Sequence, residues 1–469
     1  MIKYQSKQFT WFLESEDLIL HIENIPRPKN IRRNYFHFEC KGKEIFIKTF
    51  DEKGTVGRIR SLISPRGKKE YTIAKKLQIA GVPAPLPLGY GVGKQSSAIA
   101  EVFIHGTTFL ELIRNGGDRI RLLRQLAKFL LLLKNKKVRH DDLHLDNILV
   151  SGHTCNLIDL HKVTVKRSFS ENDEIVNLKH VLASIYNYIN PREIGLFFNE
   201  YGLTPEKKIK AHRATEALRD RWILNKMARA FRDTSVVRRQ GPKLYIRGNE
   251  EHCSGEFVEV IKKDTKVKVE RHADHIRKTY KGGNRLKTAW KNCVVLEYMQ
   301  NHVIPRPYGV VLGGQGNAGY IAMEDLAGSG EELDRYLDRH YDAMSARRRK
   351  QFINEIATFF FNTIHWKVTH KDLKACNIFV RNNHDFLFLD VEDIRFSSVT
   401  PDILRKLFLQ LNNSVPLRIS SRDRIRFYLR LISLVSVDKK KFLGEIISQS
   451  MKEPIVYIGL SGTVMDHWS

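Results

Sequence analysis

The stretch RHDDLHLDNILV, residues 139–150, recurs as THKDLKACNIFV, residues 369–380. A segment repeated at long range divides the chain, and a length of 469 residues agrees, because single cores stop growing well below that size. Two domains are expected, 1–225 and 226–469. The boundary is set where a helical pattern gives way to SVVRRQGPKLYIRGNEE (235–251).

Outward from each copy the surroundings repeat. Each follows a helix-like segment with apolar residues three and four apart, Ile120 to Leu133 and Phe352 to Ile364. Each precedes a run that reads as a short apolar strand, NLIDLHKV (156–163) and FLFLDVEDIRF (386–396). Upstream, YFHFECKGKEIFIKTF (35–50) alternates about a Lys-Gly turn as two antiparallel strands do. A helix-like run from Lys69 to Ile79 then ends at GVPAPLPLGYG, whose prolines forbid its continuation. Asn284 to Tyr298 followed by HVIPRPYG has the same order, and AIAEVFIHG (98–106) answers to YIAMEDLAG (320–328). The fold class is therefore α+β, each half a small mixed sheet-plus-helix lobe followed by a mainly helical lobe.

The repeated segment has the form H-x-D-L-x-x-x-N, and each part has a mechanical task in phosphoryl transfer, where a protein mainly positions reactants and neutralises charge. Asp142 and Asp372 would orient or accept the proton of the attacking hydroxyl. Asn147 and Asn377 would hold Mg²⁺ through the amide oxygen, joined by Asp159 and Asp390 at the end of the next strand; hard cations prefer such oxygen donors. His140 would brace the loop, and Leu143 would anchor it. A strand lysine must grip the nucleotide phosphates, and a helix glutamate must orient it. Lys48 and Glu70 fit in the first half. In the second, Lys278 precedes Asp372 by the interval that separates Lys48 from Asp142, but Ala289 stands in the place of Glu70 and Glu297 lies two turns further along. A His/Asp transition-metal cluster around His140 and His144 explains neither the repeat nor the following strand aspartate.

Composition bounds the partners. A net charge of +27 favours polyanions: nucleic acid, anionic lipid, phosphorylated sugar or nucleotide. Basic runs such as Arg347 to Lys350 and Arg422, Arg424, Arg426 and Arg430 read as solvated helix faces. No RNA-recognition motif, zinc finger or helix-turn-helix is present, so specific nucleic-acid binding is not expected. Five scattered cysteines without a C-x-x-C pair imply a reducing compartment. The acidic N-terminus has no apolar signal core, and no apolar stretch is long enough to span a bilayer.

These motifs resemble the lipopolysaccharide core kinases, bacterial enzymes that phosphorylate heptose or Kdo. GKKEYTIAKKLQIAGVPAPLPL, HDDLHLDNILV and IDLHKV carry the likeness in the first half, with His161 in the slot that protein kinases fill with glycine. NRLKTAWKN, VIPRP, MEDLAG, HKDLKACNIFV and LDVEDIRF carry it in the second, with the tail LRKLFLQLNNSV and RDRIRFYLRLI. The resemblance implies two tandem bilobal protein-kinase-like domains, each binding ATP with Mg²⁺ between its lobes, with Glu101 and Glu324 near the interlobe hinge. It also implies transfer to a sugar hydroxyl of the lipopolysaccharide core. The location implied is the cytoplasmic face of the bacterial inner membrane, where a basic surface meets anionic glycolipid and lipid. The chain departs from protein kinases in having no G-x-G-x-x-G before either lysine; its glycine clusters GYGVG (89–93) and GGQG (313–316) follow the lysine helix. The alternatives are a kinase of another acceptor, a small molecule or a protein serine, and one active kinase with a regulatory pseudokinase second domain.

Overall fold

The computed structural model describes residues 1–23, 25, 33–52, 64–313, 319–435 and 437–468. It divides into two compact units, Met1–Arg219 and Asp220–Ser469. The division falls inside the helix Pro205–Arg229, a few residues before the boundary placed from sequence.

In the first unit β1 (Ile2–Gln5) and β2 (Thr10–Leu13) form a hairpin, followed by β3 (Arg33–Cys40) and β4 (Lys43–Asp51). The predicted turn between β3 and β4 is there: Lys41 and Gly42 both have positive φ, the mirror-image geometry whose twist matches paired strands. Helix α1 (Arg66–Ala80) comes next and stops at left-handed Gly81, two residues before Pro83. β5 (Pro87–Val92) and β6 (Ser96–Val102) complete an antiparallel sheet of order β1-β2-β5-β6-β4-β3. One face buries Trp11, Leu13, Ile45, Ile47, Ala98 and Ala100 together. Below it α2 (Arg119–Asn135), α3 (Glu171–Ile185) and α4 (Pro191–Tyr201) enclose Leu143, Leu145, Ile148 and Leu157.

The second unit repeats this order with one strand more. Its strands are β7 (Val237–Gln240), β8 (Lys243–Ile246), β9 (Phe257–Lys263), β10 (Val267–His272) and β11 (Ile276–Tyr280). Helix α5 (Gly283–Met299), β12 (Pro307–Val311) and β13 (Tyr320–Met323) follow, and the sheet runs β7-β8-β12-β13-β11-β10-β9. In both sheets a leading hairpin pairs with the strand after the lysine helix, and the lysine strand lies beside the last strand of the lobe. The helical part holds α6 (Ala346–His365), α7 (Pro401–Asn412), α8 (Ser421–Ile432) and α9 (Lys439–Ser450).

Two local expectations are corrected, on the strands after the repeated segments and on Arg424. NLIDLHKV and FLFLDVEDIRF are not single strands. Thr154–Leu157 and Val163–Val165 flank a 3₁₀ turn at Leu160–Lys162, and Asp385–Phe388 and Ile394–Phe396 flank one at Val391–Asp393. The apolar run continues because residues on both sides of the turn are buried, but Asp159, at φ 56°, breaks the extended path. GYGVG lies on and just past β5: a β-carbon on Gly89 would come within 2.7 Å of the Phe12 carbonyl, so that glycine serves strand packing. Arg424 does not belong to a solvated face. It is buried, and its guanidinium donates to the carbonyls of Asn412, Ile419 and Pro416. Among the described residues no helix is long and apolar enough to cross a membrane.

Candidate active sites

Both repeated segments form the same loop. Helix α2 ends at Lys136 and α6 at Trp366, and each is followed by a left-handed lysine, Lys137 or Lys367. Short strands Val138–His140 and Val368–His370 pair with the strand after the 3₁₀ turn. A serine then pins each loop from below, Ser184 on α3 and Ser414 in the turn after α7: Ser184 Oγ accepts from the Leu145 N–H at 3.2 Å, and Ser414 Oγ from the Ala375 N–H at 2.8 Å. These serines share the spacing of the repeat; Ser414 falls in the quoted tail LRKLFLQLNNSV, and carrying the comparison back to the first half points to Ser184.

Within the loop, Asn147 Nδ2 donates to the Asp142 carbonyl at 2.9 Å, and Asn377 Nδ2 to the Asp372 carbonyl at 2.8 Å. The amide nitrogen is thereby committed, which fixes the orientation of the Oδ1 acceptor. The N–H groups of Ile158 and Leu389, one residue before the strand-end aspartates, donate to the Asn147 and Asn377 carbonyls at 3.0 Å. Each unit thus brings asparagine and aspartate together, and carboxylate plus amide oxygen is a donor set that suits Mg²⁺.

The bracing histidines behave differently. His140 is fully buried, and burial pushes its pKa down to about 4, so it stays neutral and its Nδ1 accepts from the Asp142 N–H at 3.1 Å. His370 instead contacts two carbonyls, Asp372 at 2.9 Å and Asp390 at 3.1 Å, tying the loop to the strand-end aspartate.

The lysine sites differ more. In the first unit Lys48 lies 3.2 Å from Glu70, which is 1% exposed. Burial pulls the Lys48 pKa down, but Glu70, Glu101 and Asp159 outweigh it and the net shift is upward. Glu101 is buried as well; desolvation exceeds the pull of Lys48 and raises its pKa to about 7. In the second unit Ala289 does occupy the place of Glu70. Each lies eleven residues before the left-handed residue that ends its helix, Gly81 or Gln300. Lys278 turns to Asp390 at 2.6 Å and to Glu392 at 3.0 Å. Burial lowers the Lys278 pKa and these two carboxylates raise it further, for a net upward shift. Glu297 has no part in this; it is half-buried two turns along the helix, where burial raises its pKa.

Glu324 is not the register counterpart of Glu101. On β6 Ile99 pairs with Lys48 and Glu101 with Phe46, whereas on β13 Ile321 pairs with Lys278 and Met323 with Ile276. Met323 therefore holds the register position of Glu101, and Glu324 is one residue beyond. Its carboxylate accepts from the Arg306 N–H at 3.0 Å and meets Arg381 at 3.4 Å. A shift of one residue reverses the face of a strand, so the two glutamates do not stand on the same face.

Asp142 and Asp372 also have unlike neighbours. Lys162 reaches Asp142 at 2.5 Å. Burial would raise the Asp142 pKa; Lys162 and the nearby histidines outweigh it, and the net shift is downward. The Lys162 carbonyl accepts from the Asp141 N–H, and the Asp393 carbonyl from the Lys371 N–H, so Asp393 is the positional equivalent of Lys162. The second unit has an acid where the first has a base, and Asp372 meets Lys374 at 3.4 Å. Of the glycine cluster GGQG, residues 314–316 fall outside the described residues.

Comparison with known proteins bears on this geometry. Residues 250–406 match the lipopolysaccharide kinase (Kdo/WaaP) family. The Kdo/WaaP segment runs from just before β9 to the middle of α7, taking in Lys278, Asp372, Asn377 and Asp390. It bears out the resemblance for the second-half motifs it contains and supports a phosphotransferase; the first-half motifs lie outside the matched residues. No curated protein matches the chain in sequence. Among solved structures, WaaP in complex with acyl carrier protein is 18% identical with a TM-score of 0.34, the match covering 46% of this chain and 97% of that one. WbdD with the kinase inhibitor LY294002 is 21% identical with a TM-score of 0.30, over 41% of this chain and 51% of that one.

Proposed function

We propose that the chain is a tandem kinase in which both units have the bilobal protein-kinase-like fold and transfer the γ-phosphoryl group of ATP to a sugar hydroxyl of the lipopolysaccharide core, heptose or Kdo. The observation that carries this reading is the loop built twice, in which an asparagine amide is locked onto the carbonyl of the aspartate five residues earlier. The family match over one of the two copies supports it.

In this reading Asp142 and Asp372 orient the acceptor hydroxyl and take its proton. Lys48 and Lys278 bind phosphate oxygens. Asn147 with Asp159, and Asn377 with Asp390, would hold Mg²⁺, which would supply charge neutralisation for the phosphates. Glu101 is a nucleotide-side group of the first unit, and the register makes Met323 rather than Glu324 its counterpart. The positive charge of the chain suits an anionic glycolipid at the cytoplasmic face of the inner membrane.

The test is phosphotransfer from labelled ATP to lipopolysaccharide core oligosaccharide, an aminoglycoside and casein in parallel. Label on the oligosaccharide alone is expected; turnover only on casein would remove the sugar reading.

A further inference from the structure

The two units hold their buried lysines with carboxylates from different elements, and we infer that Glu392, on the turn after the strand-end aspartate, is the lysine-positioning residue of the second unit, in the place of the absent helix glutamate. The inference rests on the kinase reading above and concerns a residue that no part of that reading uses.

The geometry supports it at three points. Glu392 is 3% exposed, and its carboxylate faces three donors: Lys278 Nζ at 3.0 Å, the Tyr280 hydroxyl at 2.9 Å and Arg285 at 3.1 Å. Such a group is oriented, because donors on two elements hold it, Lys278 and Tyr280 on β11 and Arg285 on α5. The turn that carries it is also fixed to the lysine helix, Asn292 Nδ2 donating to the Val391 and Ile394 carbonyls at 2.8 and 3.1 Å. Finally, the first unit shows that helix and turn converge there. The residue two after its strand-end aspartate is His161, and ligand atoms of Glu70, Asp159 and His161 lie within 4.8 Å of one another. Glutamate on the helix with histidine on the turn has become alanine on the helix with glutamate on the turn. In each unit the lysine is ion-paired with a buried glutamate besides the proposed metal aspartate, Glu70 in the first and Glu392 in the second.

The need for that carboxylate follows from what the site must do. Lys278 is nearly buried and has two anionic partners, Asp390 and Glu392. If Asp390 serves a cation, its carboxylate is drawn away, and a buried ammonium left without a counter-charge is costly. Glu392 is then the anion that keeps Lys278 extended toward the phosphates. Glu392 is a positioning residue; it acts through the lysine.

The test is a transplant. In the full chain with the first site silenced by Lys48→Met, binding of trinitrophenyl-ATP with Mg²⁺ is titrated by fluorescence. Glu392→Gln should weaken binding at least tenfold, and adding Ala289→Glu should restore most of it. The reciprocal exchange, with Lys278→Met as background, should behave alike: Glu70→Ala weakens binding and His161→Glu restores it. Unchanged binding in Glu392→Gln overturns the inference and leaves the kinase reading intact. So does a loss that Ala289→Glu does not relieve in a protein that melts at the parent temperature. If Glu392→Gln does not fold, the reciprocal pair decides, and failure of His161→Glu to restore binding overturns it. A second unit that binds no nucleotide before any change at Glu392 overturns the kinase reading of that unit, and this inference with it.

Discussion

The two units share sheet order, loop geometry and serine pins, yet at three places around the proposed chemistry they use opposite residues. Glutamate and histidine in the first unit face alanine and glutamate in the second; lysine beside the proposed base faces aspartate; a buried glutamate on β6 faces methionine on β13. What is kept is backbone geometry, and what varies is where each charge is mounted. Shared architecture therefore does not make the two sites equivalent, and the missing helix glutamate does not by itself make the second unit inert.

The harshest test of that comparison is to remove each base in turn. Asp142→Asn and Asp372→Asn should each lower turnover at their own site by about 10²–10⁴-fold, read by single-site assays in which the other unit's lysine is replaced by methionine. Activity that is lost entirely with Asp142→Asn and unaltered by Asp372→Asn would make the second unit a pseudokinase.

A second measurement sharpens the contrast between Glu101 and Met323. Glu101 binds its proton more tightly in the folded protein, with a pKa of about 7, than in the unfolded chain. Its stabilising contribution is therefore full below about pH 4.5 and is lost as the pH rises through 7. Glu101→Met should remove that loss, a difference on the order of 3 kcal/mol at pH 8 given the size of the shift, measured by denaturant unfolding at pH 5 and 8.

The smallest effect concerns Lys162 and Asp393. Lys162 favours the ionised form of Asp142, so Lys162→Ala should move the acid limb of the kcat/KM profile of the first site to higher pH. Asp393→Lys should move that of the second to lower pH. Both groups of the Lys162–Asp142 pair are partly exposed, so the displacement will be modest and will shrink with added salt.

Much of this was legible in the sequence because it is local. The Lys-Gly hairpin, the helix stops and both catalytic loops depend on neighbouring residues and on a repeat that can be counted. Lys48 and Glu70 were legible as well, since each strand and helix offered a clear candidate. Glu392 stands two residues after Asp390, outside the helix where the first unit keeps its glutamate; which element supplies a charge to a buried partner is decided by packing, which the sequence does not display. The register of Glu324 was lost for a related reason, because alternation along a short strand fixes the face only once the neighbouring strand is known. Arg424 looked like one more surface charge, and only the folded chain reveals the carbonyls that bind it.

The mounting of the carboxylate also sets what motion can do to each site. Glu70 rides on α1, so a slide of that helix by an ångström or two would part it from Lys48 while the strand-end aspartate stayed in place. Glu392 shares its turn with Asp390, and nothing can withdraw it without taking the proposed metal ligand along. In the first site a helix movement alone would separate lysine from glutamate; in the second, α5 is bound to the turn through Asn292 and Arg285, so helix, turn and both carboxylates would move as one piece.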